Sequence, residues 1–283
     1  MPNVDLASRL EACKYKWQLR DERPLSGGFA ADVFGCTTVA GQDVVLKLPA
    51  TETEARAEVA ALTAWDLSGA AARLIDADLG ESALLLERVR PGTPLPAGDD
   101  AASAEIAAEL LSRLHRVPAG GFAFPGLLPV YRLAEKQSRD DAAYERRASG
   151  DITLGEAGLA RLGEARAAAE RLCASARRMV LLHGDFLDKN VLWAGDRYVA
   201  IDPIPCLGDP CSDVGFFAAG HPPATEIVDR AADIASLMGL DPDRAERWAA
   251  VWAVLQACQS WRPDQSDLDA VMSAPEFRKR LRE

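Results

Sequence analysis

Histidine is scarce, with three in 283 residues, and no two of the six cysteines form a C-x-x-C pair. Both shortages argue against a zinc site and a disulfide scaffold, and they fit buried thiols in a reducing cytoplasm. No apolar run reaches the roughly 18 residues of a membrane span. The N-terminus, Met1-Pro-Asn-Val-Asp5, has neither a basic region nor an apolar core, so a signal peptide is not expected and a cytoplasmic location is. Positive charge is also in deficit: 32 Lys and Arg face 43 Asp and Glu, a net charge of −11. Nucleic acid and anionic membranes are therefore poor partners, whereas a cationic small molecule is electrostatically favoured. The G-x-x-x-x-G-K-[ST] loop is missing too, which argues against a P-loop nucleotide site.

What is present fits a soluble globular chain, 48% hydrophobic and 27% charged, long enough for two lobes with a core. Its organising stretch runs from Val180 to Pro203. The apolar run Val180-Leu-Leu182 delivers a polar loop holding His183, Asp185, Asp188, Lys189 and Asn190. A second run turns at Gly195-Asp196, a two-residue hairpin signal, and returns to Asp202. The hairpin brings Asn190 and Asp202 back to one end, a plausible place for an oxygen-liking cation. In a regular ladder Asn190 would face Ile201, leaving Asp202 on the opposite side. The strands are therefore expected to end, or to bulge, just before Asp202.

Upstream, a helix within the first 20 residues leads to strands through Val33–Val39 and Val44–Leu48, with Ser26-Gly27-Gly28 between them and the helix. Lys47 interrupts the second strand. A helix from Glu52 to Leu67 carries Glu54 and Glu58 on one face, either able to hold the Lys47 ammonium. Strands near Ala72–Ile75 and Ala83–Val89 follow, the second continuously apolar at Leu84–Leu86, as for a strand covered on both sides. Arg90-Pro-Gly-Thr-Pro-Leu-Pro96 marks the best boundary. Beyond it, apart from the hairpin, the periodicity is helical. Trp248 and Trp252 lie four residues apart, the spacing of a core face. Asp209 before Pro210 reads as an N-cap followed by proline at the first helical position.

An Asp to orient and deprotonate a hydroxyl, oxygen ligands for magnesium, and a lysine with an acidic partner are what phosphoryl transfer requires. Asp185 and Asn190 have the Asp-x-x-x-x-Asn spacing of a kinase catalytic loop. On His183-Gly-Asp185-x-x-x-x-Asn190, Ala200-Ile-Asp202-Pro, Gly208-Asp-Pro-x-x-Asp213, Lys47 and Leu84-Leu-Leu-Glu87, the chain resembles the aminoglycoside phosphotransferase family. Within it the streptomycin 6-kinase and hydroxyurea kinase branch is the most similar.

The resemblance spans about residues 24–217. It implies an α+β, two-lobed protein-kinase-like fold: a nucleotide-binding lobe of residues 1–89 and a catalytic, substrate-binding lobe of residues 90–283, hinged about 87–96. It further implies ATP (GTP not excluded) and Mg²⁺ as cofactors, with Asp185 as catalytic base and Asn190 and Asp202 as metal ligands. Lys47 would meet the α/β-phosphates beside Glu58, with Glu54 as the alternative. Gly27 and Gly28 would cover the phosphates, and the main chain of Glu87 and Val89 would meet adenine. Asp188, Asp209, Asp140, Asp141 and Glu145 are candidates for a cationic substrate, against the simpler reading of the last three as a solvated helix face. His183 and Asp213 are expected to brace the loop rather than react. The function implied is phosphorylation of a hydroxyl on an antibiotic such as streptomycin. A metabolite kinase and a silent nucleotide-binding scaffold are the alternatives.

Overall fold

The computed structural model describes residues 6–25, 31–96, 100–149, 156–220, 226–257 and 274–282; at 100, 141–149, 156–159 and 276 the backbone alone is described. The chain opens with helix α1 (Leu6–Trp17) and strands β1 (Leu19–Pro24), β2 (Ala31–Thr38) and β3 (Asp43–Pro49). Helix α2 (Glu52–Trp65) then crosses to β4 (Leu74–Asp78) and β5 (Ala83–Glu87). The five strands form one antiparallel sheet in the order β1-β2-β3-β5-β4.

Strand periodicity divides this sheet between two cores. Val44, Leu46, Leu48, Ala83 and Leu85 pack with Cys13 and Leu19 on the side of α1. Leu84 and Leu86 point the other way, into the main core with Leu62 and Trp65 of α2. The continuous apolar run in β5 is thus covered on both faces. Lys47 alternates with Leu46 and Leu48, which puts its side chain on the α2 side.

After Glu87 the chain passes to β6 (Thr93–Pro94) and helices α3 (Asp100–Leu114), α4 (Leu127–Ser149) and α5 (Glu156–Ala174). Next come β7 (Val180–Leu182), β8 (Val191–Trp193), β9 (Tyr198–Ala200) and β10 (Cys206–Gly208). Helices α6 (Pro210–Ala219), α7 (Ile227–Leu237), α8 (Pro242–Ala257) and α9 (Pro275–Arg282) complete the described chain.

The expected hairpin is β8–β9, in register Val191↔Ala200 and Trp193↔Tyr198, with Ala194 N–H donating to Arg197 O at 2.7 Å. That leaves Gly195 and Asp196 as a two-residue turn, with Gly195 at φ 97°.

Two differences from the sequence reading bear on the site. The strand expected near Ala72–Ile75 begins only at Leu74. Instead Ala200 N–H donates to Ala70 O (2.8 Å) and Ala72 N–H to Ala200 O (2.9 Å), tying the end of β9 to the segment after α2. Strand β10 went unread, because Cys206-Leu-Gly208 is too short to show a period, yet it pairs with β7.

The helical half is closed by α6 against α8. Trp248, Phe217 and Phe186 are fully buried there, and Trp252 nearly so, so the tryptophan pair is core. The two helices approach where Gly215 has no side chain. A Cβ at Gly215 would lie 2.5 Å from the Ala249 nitrogen and 2.8 Å from the Trp248 Cβ. Overpacking of this kind costs about 1–3 kcal/mol. Gly215→Ala should therefore lower the urea midpoint by an equivalent amount without changing the m-value; an unchanged midpoint would mean that α6 and α8 can separate freely.

Candidate active site

The site begins with Thr51, which caps α2. Its hydroxyl accepts from Glu54 N–H (3.2 Å), while the Glu54 carboxylate accepts from Thr51 N–H (3.0 Å), a reciprocal capping box. Glu54 is thereby committed to the helix end. Glu58, one turn on and buried, is the residue that meets Lys47: its two oxygens lie 2.7 and 2.6 Å from Nζ. Of the two glutamates left open by the sequence, the structure brings Glu58 to the lysine.

Lys47 is 6% exposed and has a second partner, Asp202 Oδ1 at 2.5 Å. Burial alone would lower the Lys47 pKa, but the Glu58 and Asp202 carboxylates outweigh it and hold the ammonium above its ordinary range. Burial likewise opposes ionisation of Asp202, and Lys47 reverses that, keeping the carboxylate below its usual range.

Asp202 reaches the lysine because the hairpin ends first. Asn190 does face Ile201, whose N–H donates to Asn190 O at 2.9 Å. Asp202 then adopts φ 58°, a left-handed conformation uncommon outside glycine, Asn and Asp, which breaks the strand alternation. Asn190 and Asp202 consequently line the same cleft.

That cleft encloses about 440 Å³. Leu25, Val33 and Val45 from the sheet and Leu192 and Ile201 from the hairpin give it apolar walls, and Glu87 and Val89 form one edge. The Glu87 N–H and carboxylate are already engaged with the Arg73 main chain.

Asp185 does not itself line the cleft but is bound to Asn190, which does. Asn190 Nδ2 donates to both the main-chain oxygen and the Oδ2 of Asp185, each at 2.8 Å, and Lys189 Nζ lies 3.9 Å from Oδ2. Burial raises the Asp185 pKa to about 7, against the lowering pull of Lys189. A carboxylate poised there suits proton abstraction near neutrality.

Beneath the loop, Asp213 is buried, and its oxygens accept from the main-chain N–H groups of His183 (2.8 Å) and Gly184 (3.0 Å). His115 Nε2 lies 2.9 Å from the same carboxylate. Burial opposes its charge, but His115 and those N–H groups hold Asp213 below its ordinary range. His183 Nε2 meets Ile201 O (3.0 Å) and Nδ1 meets Asp185 N–H (3.3 Å), which fits a neutral ring protonated on Nε2. Burial lowers its pKa to about 4. Both residues brace main chain.

Gly184 permits this close path. Its φ is 78°, and a Cβ there would fall 2.0 Å from Ile204 O.

His115 was missed in the sequence. The available signal was a lone histidine beside Leu110, Leu111 and Leu114, all buried on α3, where a polar ring requires a partner.

The remaining candidates divide. Asp188 belongs to the 3-10 turn Asp188–Asn190 of the loop. Asp209 lies elsewhere: it caps α6 through Cys211 N–H and accepts from Trp248 Nε1 at 2.8 Å and from Arg244. Asp140 is exposed and paired with Lys136 at 2.9 Å. Neither lines the cleft. The side chains of Asp141 and Glu145 and all of Gly27 and Gly28 lie outside the described residues.

For a hard cation, the donor set fits. Asn190 uses its amide N–H on Asp185 and Asp202 one oxygen on Lys47, leaving an Asn carbonyl and an Asp oxygen beside the cleft. Magnesium takes few protein oxygens when phosphates supply others.

Residues 16–264 match the family model for the aminoglycoside/hydroxyurea antibiotic resistance kinase. A hydroxyurea phosphotransferase of Kitasatospora aureofaciens is 34% identical over 89% of this chain and 72% of its own. A streptomycin 6-kinase of Streptomyces griseus is 30% identical over 95% and 90%. Among solved structures, an amicoumacin kinase in complex with AMP-PNP and Ca²⁺ superposes with a TM-score of 0.66 at 11% identity, covering 99% of this chain and 93% of that one. The shared architecture is the two-lobed protein-kinase-like fold.

Because folding raises the Asp185 pKa, the folded state holds a proton that the unfolded state releases from the ordinary carboxylate range up to about 7. Stability therefore falls with pH across that window. Asp185→Asn, which cannot titrate, should gain on the parent from about pH 4 to pH 7 and then level off, in urea unfolding without divalent cations. A pH-independent difference would overturn the assigned environment.

Proposed function

The chain belongs to the aminoglycoside/hydroxyurea antibiotic resistance kinase family, and from that premise we propose that it transfers the γ-phosphoryl of ATP to a hydroxyl of a small cationic antibiotic of the streptomycin kind. It is a phosphotransferase with a hydroxyl acceptor; the acceptor's identity and the residue roles below are our reading. The observation that carries them is the meeting of Asn190, Asp202 and Lys47 in a cleft with apolar walls, with Asp185 hydrogen-bonded to Asn190.

Adenine would lie between those walls, its edge on the Glu87 carbonyl and the Val89 main chain. Residues 1–89 would act as the nucleotide lobe and 90–283 as the catalytic one, joined about 87–96. Lys47, held by Glu58, would meet the α/β-phosphates. Asn190 and Asp202 would hold Mg²⁺, which when bound neutralises phosphate charge.

Asp185 accepts the acceptor's hydroxyl proton as that oxygen forms its bond to the γ-phosphorus. The bond from phosphorus to the β,γ-bridging oxygen breaks, its electron pair leaving with ADP. Products are a phosphate monoester, ADP and the proton first taken by Asp185. Asn190 fixes the base through its two bonds to Asp185, so the hydroxyl meets a carboxylate of one orientation. Asp188, in the same loop, would meet a cationic group of the acceptor.

A second acceptor is favoured by one relative: the 34% identical hydroxyurea phosphotransferase points to hydroxyurea, a small uncharged hydroxyl compound. Expression in a sensitive bacterium, with resistance measured across streptomycin, other aminoglycosides and hydroxyurea, separates the two. Streptomycin tolerance should rise and be lost in Asp185→Asn, whose turnover should fall by about 10²–10⁴-fold while nucleotide binding persists. Protection against hydroxyurea alone would transfer the reading to that acceptor, and protection against none would favour a metabolite.

A further inference from the structure

The cations of the cleft are unequally committed. Lys47 is enclosed by two carboxylates, Glu58 and Asp202, so its charge is already more than balanced. Arg88 stands at the far edge of the cleft, its guanidinium 3.2 Å from where a Cβ of Gly35 would be. Lys189 lines the cleft beside Asn190 and Asp202, is 48% exposed, and has one distant ionic partner, Asp185 at 3.9 Å. At 3.9 Å the two groups are at the limit of an ionic contact with no hydrogen bond between them, and Lys189 is half exposed, so its ammonium can move to a stronger anion. A triphosphate placed in the cleft, its reacting end toward Asp185, is such an anion.

We propose that Lys189 is a catalytic residue of the phosphoryl transfer: its ammonium leaves Asp185 for the γ-phosphate, clamps that group through the transition state, and frees the base for the acceptor hydroxyl. This rests on the phosphotransferase reading of the same site. Lys189 donates N–H bonds to non-bridging γ-oxygens and transfers nothing; the proton still goes to Asp185 and the electron pair still leaves with ADP.

The position follows from the loop. The 3-10 turn Asp188–Asn190 sets Lys189 four residues beyond Asp185 and directly before Asn190, so one turn places the cation next to both the base and a metal-oxygen donor. Removing one hydrogen-bond donor from the developing charge of a transition state costs about 10²–10³ in rate, which sets the scale for losing this one.

The γ-phosphate is what distinguishes AMP-PNP from ADP, so binding of the two, measured by calorimetry with Mg²⁺, tests the assignment without knowledge of the acceptor. Lys189→Met should weaken AMP-PNP about five- to tenfold and leave ADP within twofold, while Lys189→Arg should restore AMP-PNP. With an acceptor in hand, kcat of Lys189→Met should fall about 100-fold. Unchanged AMP-PNP binding, or an equal loss for both nucleotides, would overturn the proposal. If the parent protein bound neither nucleotide, the phosphotransferase reading would fall instead.

Discussion

The structure depends on one buried cation. The Lys47 ammonium, nearly sealed from solvent, is held by Glu58 from α2 and by Asp202 from the end of the hairpin. Removing Lys47 would leave the buried Glu58 carboxylate facing Asp202 with no cation between them, an uncompensated charge that is strongly destabilising. Three segments distant in sequence are thus fixed against one another by a single polar contact. The surrounding elements supply what it requires: the strand alternation that points Lys47 away from the α1 core, the capping box that starts α2 in phase, and the left-handed turn at Asp202.

A second polar knot stabilises the loop from below. Asp213 accepts from two successive main-chain N–H groups and meets His115, while His183 satisfies the Ile201 carbonyl and packs between Trp65 and Phe186. Buried polar groups are tolerated where their partners are present. Here the partners are the backbone of the 183–190 loop itself, so satisfying them also shapes it. The Asp185 carboxylate is consequently carried on main chain fixed from within the core.

Much of this was legible in the sequence, for local reasons. The loop spacing from His183 to Asn190, the Gly195-Asp196 turn and the apolar run of Leu84–Leu86 are short-range signals, each with one structural solution. The Lys47 partner was not: Glu54 and Glu58 share a helix face, and only the capping box with Thr51 separates them. Asp209 was legible as a cap but not as a residue locked onto Trp248 and Arg244, because those partners are 35 or more residues away. His115 and Asp213 meet across 98 positions, a pairing that neither periodicity nor spacing encodes. What sequence reasoning lost was long-range and polar, since hydrophobic period places an element without saying which side chain will satisfy a distant one.

The main-chain bonds of Ala200 to Ala70 and Ala72 have a mechanical corollary. They fasten the segment after α2 to the last residue of β9, two positions before Asp202. A rocking motion of the sheet that preserves those bonds has its fulcrum there, and displacement grows with distance from it. Asp202 sits near the fulcrum and moves least, whereas β1, the edge strand farthest from β4 in the sheet order, sits at the end of the lever. Such a motion would alter the outer edge of the sheet while Lys47 and Asp202 keep their spacing.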